Sequence, residues 1–223
     1  WLLLLQRSRT PMNMTHSTHS SPLAWRPSCP EDIVGPARQI ASKLIQKVSR
    51  AKNDGRGPIK ILIYGPPGVG KTTIAELLAA ELTASPWSIE DANGKLVTIE
   101  TVKSWMRELA FGNLFSDWSV KIVNELDRSS RDAQDLMLTY LDKLPPGRAF
   151  IGTSNLDLGQ LTERFQTRFQ AIKLEAPASE EIRGFLMQHW EVPESVASMI
   201  SVGCGGNVRA ALADLETHFD AHE

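Results

Sequence analysis

The chain has 223 residues, 24 basic and 26 acidic side chains, a net charge of −2 and two cysteines. That length supports one α/β domain with a sizeable core plus a small appendage, and the near-neutral balance excludes a protein that coats nucleic acid over its whole surface. No apolar run approaches the roughly 20 residues of a membrane helix, so no membrane partner is expected, and Cys29 and Cys204, without ligand or disulfide spacing, read as reduced thiols of a cytoplasmic protein.

The chain opens Trp1-Leu2-Leu3-Leu4-Leu5, too few apolar residues for a signal-peptide core. Residues 1–21, rich in Ser, Thr and His, read as a disordered leader, with a translation start at Met12 or Met14 expected. Two histidines, His16 and His19, in such a tail carry no metal expectation. A helix is predicted over residues 36–51, with Ile40, Leu44 and Val48 on one face. From Arg38 to Lys60 there are seven basic residues against one acidic residue, Asp54. This is read as a solvated helix face, with nucleic-acid contact as the alternative.

Residues 59–73, IKILIYGPPGVGKTT, organise the rest of the chain. The apolar run Ile61-Leu62-Ile63-Tyr64 predicts a strand buried on both faces. Gly65-Pro66-Pro67-Gly68-Val69-Gly70-Lys71-Thr72 fits G-x-x-x-x-G-K-[ST] at every fixed position. Glycines let successive backbone N–H groups turn inward around a phosphate, and the next helix offers its positive end. Ile74, Leu78 and Leu82 supply that helix, with Thr73 in its first turn. Lys71 would reach the β- and γ-phosphates and the Thr72 hydroxyl would hold Mg²⁺. The pattern implies binding of a nucleoside triphosphate.

Asp91-Ala92-Asn93-Gly94 lies between two short apolar runs, a hairpin signal. A helix is predicted over 101–110, a connection over 111–119, and a buried strand at Val120-Lys121-Ile122-Val123 delivering Asn124 and Glu125. That strand is expected beside the phosphate-loop strand. A helix over 130–144 comes next, then a strand at 149–153 ending near Asn155, a partly helical stretch over 158–169, and a fifth strand over 170–174. The remainder is helical. Ile182, Phe185, Leu186 and His189 share one face, so His189 is read as a packed residue, and Asn207 can cap a last helix carrying Ala211, Leu212, Leu215 and Phe219.

Strands alternating with helices around a phosphate loop predict an α/β fold with a doubly wound parallel sheet and ligand at the strand C-termini. An acid at position 124 or 125 can order Mg²⁺ or polarise an attacking water, and Asn155 can orient that water. Arg164 and Arg168 precede the fifth strand. Arg209 falls in the first turn of a helix, where a cation opposes the macrodipole unless an anion sits opposite.

This set resembles the AAA+ ATPases over residues 23–220. In that likeness Gly65 to Thr72 is similar to Walker A, Val120 to Glu125 to Walker B, Asn155 to sensor 1 and Arg209 to sensor 2. Thr167-Arg168-Phe169 is similar to the Ser-Arg-Cys box of clamp-loader subunits, which makes Arg168 the implied arginine finger with Arg164 second. Ile33 and Val34 fall where the family holds adenine. The resemblance implies a five-stranded parallel P-loop sheet over 22–176, a helical lid over 177–223, and ATP and Mg²⁺ as cofactors. It also implies assembly into a homo- or hetero-oligomer of AAA+ subunits acting on DNA, most like replication clamp loaders and next like Holliday-junction branch-migration motors. A protein remodeller and a regulatory ATP-binding subunit with weak hydrolysis remain the alternatives. Where the family has Asp-Glu this chain has Asn124-Glu125, so the metal-ordering carboxylate is an amide and slow hydrolysis is expected. DNA contact is expected at Arg128, Ser129, Ser130 and Arg131, where cations, hydroxyls and a helix N-terminus make a phosphate site, with ordinary capping as the alternative. For Arg168 the alternative is a surface ion pair with Glu163 or Glu175.

Overall fold

The computed structural model describes residues 21–111, 116–155 and 161–221. Residues 1–20 of the expected leader, 112–115 of the connection and 158–160 of the partly helical stretch lie outside them. Five parallel strands form one sheet: β1 (Ile59–Tyr64), β2 (Ile89–Asn93), β3 (Ser119–Asn124), β4 (Arg148–Ser154) and β5 (Gln170–Lys173), in the order β2-β3-β4-β1-β5. The strand alternation explains the apolar run of β1. Ile59, Ile61 and Ile63 face a cluster with Ala41, Leu44 and Val48 of α1 (Ala37–Asn53) and with Ile74, Leu78 and Leu82 of α2 (Lys71–Leu82). Leu62 faces the opposite cluster, with Trp105 of α3 (Ile99–Glu108) and Met137, Tyr140 and Leu141 of α4 (Arg131–Asp142). Ile61, Leu62 and Ile63 are at most 1% exposed, and each such burial contributes about 2 kcal/mol.

Two sequence expectations are overturned. β3 does not lie beside β1; β4 pairs with both and separates them. The chain leaves β1 through α2, passes to the far edge at β2, and steps back through β3 and β4, so the strand ending in Asn155 is the one next to the phosphate loop. Nor is Asn93-Gly94 a hairpin turn. β2 runs parallel to β3 with Asn93 opposite Asn124, and Asn93 caps a single 3₁₀ turn, its Oδ1 accepting from the Lys95 N–H at 3.0 Å. A parallel neighbour requires a crossover, which here passes through that turn and α3.

After α5 (Glu163–Gln166) and the edge strand β5, α6 (Ser179–His189), α7 (Glu194–Gly203) and α8 (Val208–Asp220) build their own cluster. Ile182, Phe185, Leu186, Ala197, Ile200, Ala211 and Leu215 form it with Val34. His189 is a packing residue there, its ring 4.8 Å from that of Phe185 and 5.4 Å from that of Trp25. Among the described residues no helix is long and apolar enough to cross a membrane.

Candidate nucleotide site

The carboxyl ends of β1, β3 and β4 open into a cleft of about 700 Å³, closed on its other side by the start of α8 and by residues 23–34. Pro67 to Thr73 line it. Gly65, Gly68 and Gly70 all have positive φ, and Gly68 also lies against the start of α8. A Cβ there would sit 1.7 Å from Asn207 Oδ1, and the Gly68 carbonyl accepts the Val208 N–H at 3.2 Å. Gly65 and Pro66 stand behind the cleft, their carbonyls accepting from Lys71 Nζ, which reaches Gly65 O at 2.9 Å.

Asn207 caps α8, its Oδ1 accepting from the Ala210 N–H at 3.1 Å, and this sets Arg209 at the cleft. Lys71 is 7% exposed, and burial first, then the Arg209 charge, lowers its pKa to about 8. Two cations converge with glycine-lined backbone at the positive end of α2. That donor set fits a polyphosphate.

Asn124, Glu125 and Asn155 meet at the same cleft. The Thr72 and Thr153 hydroxyls each donate to Asn124 Oδ1 at 3.0 Å, and Asn124 Nδ2 donates to Asp91 Oδ1 at 2.8 Å. Thr72 and Asn124 thus present adjacent oxygens, a set suited to Mg²⁺ held directly or through water. Glu125 has φ 53° and ψ 47°, a left-handed conformation costing on the order of 1 kcal/mol for a residue with a Cβ. Its N–H is held by Thr153 Oγ1 at 3.2 Å. The Glu125 carboxylate accepts from Arg128 at 2.9 Å, Asn93 at 3.4 Å and Asn155 at 3.5 Å. The Arg128 hydrogen bond, then that of Asn93, holds its pKa below the ordinary glutamate value.

Sequence reasoning missed Asn93, whose Asn-Gly context signalled a turn. Gly94 is required for close approach: a Cβ would lie 2.2 Å from the Glu125 carbonyl oxygen. It also missed Trp25, Arg26 and Leu212, which line the cleft together with Ile33 and Val34. The Trp-Arg-Pro run at 25–27 beside the adenine candidates was the available signal.

Other expected residues stand elsewhere. Arg168 does not line the cleft; its guanidinium grips Asp142 at the end of α4 through two contacts of 3.1 Å, rather than Glu163 or Glu175. Arg164 is exposed. Ser129 is 6% exposed and donates to Leu126 O at 2.6 Å, which removes its hydroxyl from any external contact, and Ser130 caps α4. Arg128 is paired with Glu125, and Arg131 is exposed.

A phosphate loop, a threonine hydroxyl, polar strand ends and a basic helix start are gathered at the carboxyl edge of a doubly wound parallel sheet, the arrangement of a P-loop nucleotide-binding site. The ATPase family associated with various cellular activities (AAA) matches residues 61–175, more than half of the chain, and the chain belongs to that family. Replication-associated recombination protein A of Bacillus subtilis (strain 168) is 29% identical over 212 residues, which is 87% of this chain and 47% of that protein. Replication factor C small subunit 2 of Pyrobaculum islandicum is 28% identical over 165 residues, 71% of this chain and 49% of its own length. The chain thus spans about half the length of these curated relatives. The Thermotoga maritima RuvB Holliday junction branch migration motor shares the fold, with a TM-score of 0.68 at 22% identity over 86% of this chain and 63% of that one.

Proposed function

We propose that this chain binds and hydrolyses ATP as one subunit of an oligomeric, DNA-acting machine of clamp-loader type. The observation that carries the reading is the convergence of Lys71, Thr72, Glu125, Asn155 and Arg209 on one cleft, from both the sheet and the helical segment. Lys71 and Arg209 bind the phosphates. Glu125, kept ionised by Arg128 and Asn93, takes a proton from the attacking water while Asn155 orients that water. Thr72 and Asn124 would hold Mg²⁺, which offsets charge on the phosphate oxygens. The base sits with Ile33 and Val34, alongside Trp25 and Leu212. Residues 22–176 act as the nucleotide domain and 177–223 as its lid, joined at the Gly68–Val208 contact.

Relatives named for replication, recombination and Holliday junction branch migration support DNA as the client. Arg131 keeps its place as a phosphate contact. A second basic surface supports the reading: Lys43, Lys47, Arg50, Arg56 and Lys60 line a cleft of about 710 Å³ with Asp54 as its acid. The test is ATP turnover with and without primed or branched DNA across salt. Stimulation that weakens with salt is expected, and stimulation by an unfolded polypeptide in place of DNA would replace this reading with the remodeller. Glu125→Gln should keep ATP affinity and lose turnover; parental turnover would require a different base.

A further inference from the structure

The Walker-B-like strand of this chain ends in an amide where a carboxylate would order the metal, yet a carboxylate stands one amide group away. Asn124 Nδ2 donates to Asp91 Oδ1 at 2.8 Å, while Asn124 Oδ1 accepts from Thr72 and Thr153. Asp91 comes from β2, whose register with β3 places Asn93 opposite Asn124. Asp91 and Asn93 therefore share one face of β2, Asp91 meeting Asn124 and Asn93 meeting Glu125.

We propose that Asp91 is a positioning residue for the metal side of the nucleotide site, fixing the Asn124 amide and supplying the negative charge that Asn124 lacks. This rests on the reading of the cleft as a nucleotide site. A carboxylate only accepts hydrogen bonds, so it admits one orientation of the amide: NH₂ toward Asp91 and the carbonyl oxygen toward Thr72. A flipped Asn124 would set its oxygen against a carboxylate oxygen. Among the described residues Asp91 has no ion pair, so its charge is not spent on a neighbouring cation. Its field reaches the Thr72 side of the cleft. Glu76, one helical turn beyond Thr72 and also lining the cleft, has its pKa raised by burial first and then by the Asp91 charge. A carboxylate acting through a neutral ligand polarises that ligand's oxygen and makes it a better partner for a hard cation or its bound water.

The test separates metal from nucleotide. ADP binding is measured by calorimetry in EDTA and then across a Mg²⁺ titration for the full chain. In Asp91→Asn the affinity in EDTA should match the parent within about twofold, while the Mg²⁺ concentration for half-maximal enhancement should rise about tenfold, the usual effect of losing an outer partner. The exchange Asp91→Asn with Asn124→Asp moves the charge inward and should restore the Mg²⁺ response. A parental Mg²⁺ response in Asp91→Asn, or an exchange variant no better than Asp91→Asn, would overturn the proposal. Failure of the parent itself to bind ADP in EDTA or in Mg²⁺ would overturn the nucleotide-site reading and this proposal with it.

Discussion

Lys71 carries a charge that the ligand-free fold disfavours. Burial and Arg209 lower its pKa from 10.5 to about 8, so between those values the unfolded chain binds more protons than the folded one. Stability from this group therefore rises with pH across about 8 to 10.5, and below pH 8 the buried ammonium opposes folding. Phosphates placed against it reverse the sign, because an anion favours the charged form. Nucleotide binding at pH 8 should take up about half a proton per site, seen as a dependence of calorimetric enthalpy on the buffer's ionisation enthalpy. Lys71→Arg, which cannot lose its proton, should show no such uptake. Proton release in the parent would contradict the assignment of Lys71 to the phosphates. Lys71 and Thr72 were legible in the sequence because backbone geometry fixes their spacing from the glycines. Asn93 was not, since Asn-Gly serves a tight turn and a close backbone approach equally well.

At the scale of elements, helices and strands were legible wherever one period ran undisturbed, as in α1, α4 and α6. β3 hides an exception within an apolar run. Lys121 lies inside it, its side chain 8% exposed, bonded to Glu90 and, at 2.6 Å, to Glu108, with the ammonium 5.7 Å from the Trp105 ring centre. Trp105 in turn donates to Glu90 at 2.7 Å, so α3 is fastened to β2 and β3 by one polar group set in an apolar interface. Such a partner set joins distant residues and leaves no periodic trace. Lys121→Ala removes both the ion pairs and the packed methylene stem, and should cost about 2–4 kcal/mol in denaturant unfolding. Lys121→Met keeps the stem and should cost about half as much, since Glu90 and Glu108 are partly exposed and can be rehydrated. Equal losses in the two variants would mean that the charge, not the stem, fastens α3.

For the whole molecule, strand order decides which residues can meet, and the order was not in the sequence. Parallel strands of similar apolar character carry no mark of their neighbours, so placing β4 between β1 and β3 needed the three-dimensional fold. The same order leaves β5 at an edge, with Arg168 just before it and outside the chain's own cleft. Asp142 holds the Arg168 guanidinium in a fork at the molecular surface. We propose that in the assembled oligomer Arg168 leaves this pair to reach another subunit's nucleotide. A cation delivered there to a transferring phosphoryl group is worth on the order of 10³–10⁵ in rate. Arg168→Ala should therefore keep ATP affinity and lose turnover by about a thousandfold or more, in line with that range. On that proposal parental turnover per subunit should rise with protein concentration, because a lone subunit would lack the neighbour's arginine. Mixing Arg168→Ala with Lys71→Ala should recover part of the activity, since one of the two mixed interfaces pairs an intact phosphate loop with an intact arginine. A mixture that stays inactive, together with parental activity independent of dilution, would leave Arg168 as a tie between β5 and α4.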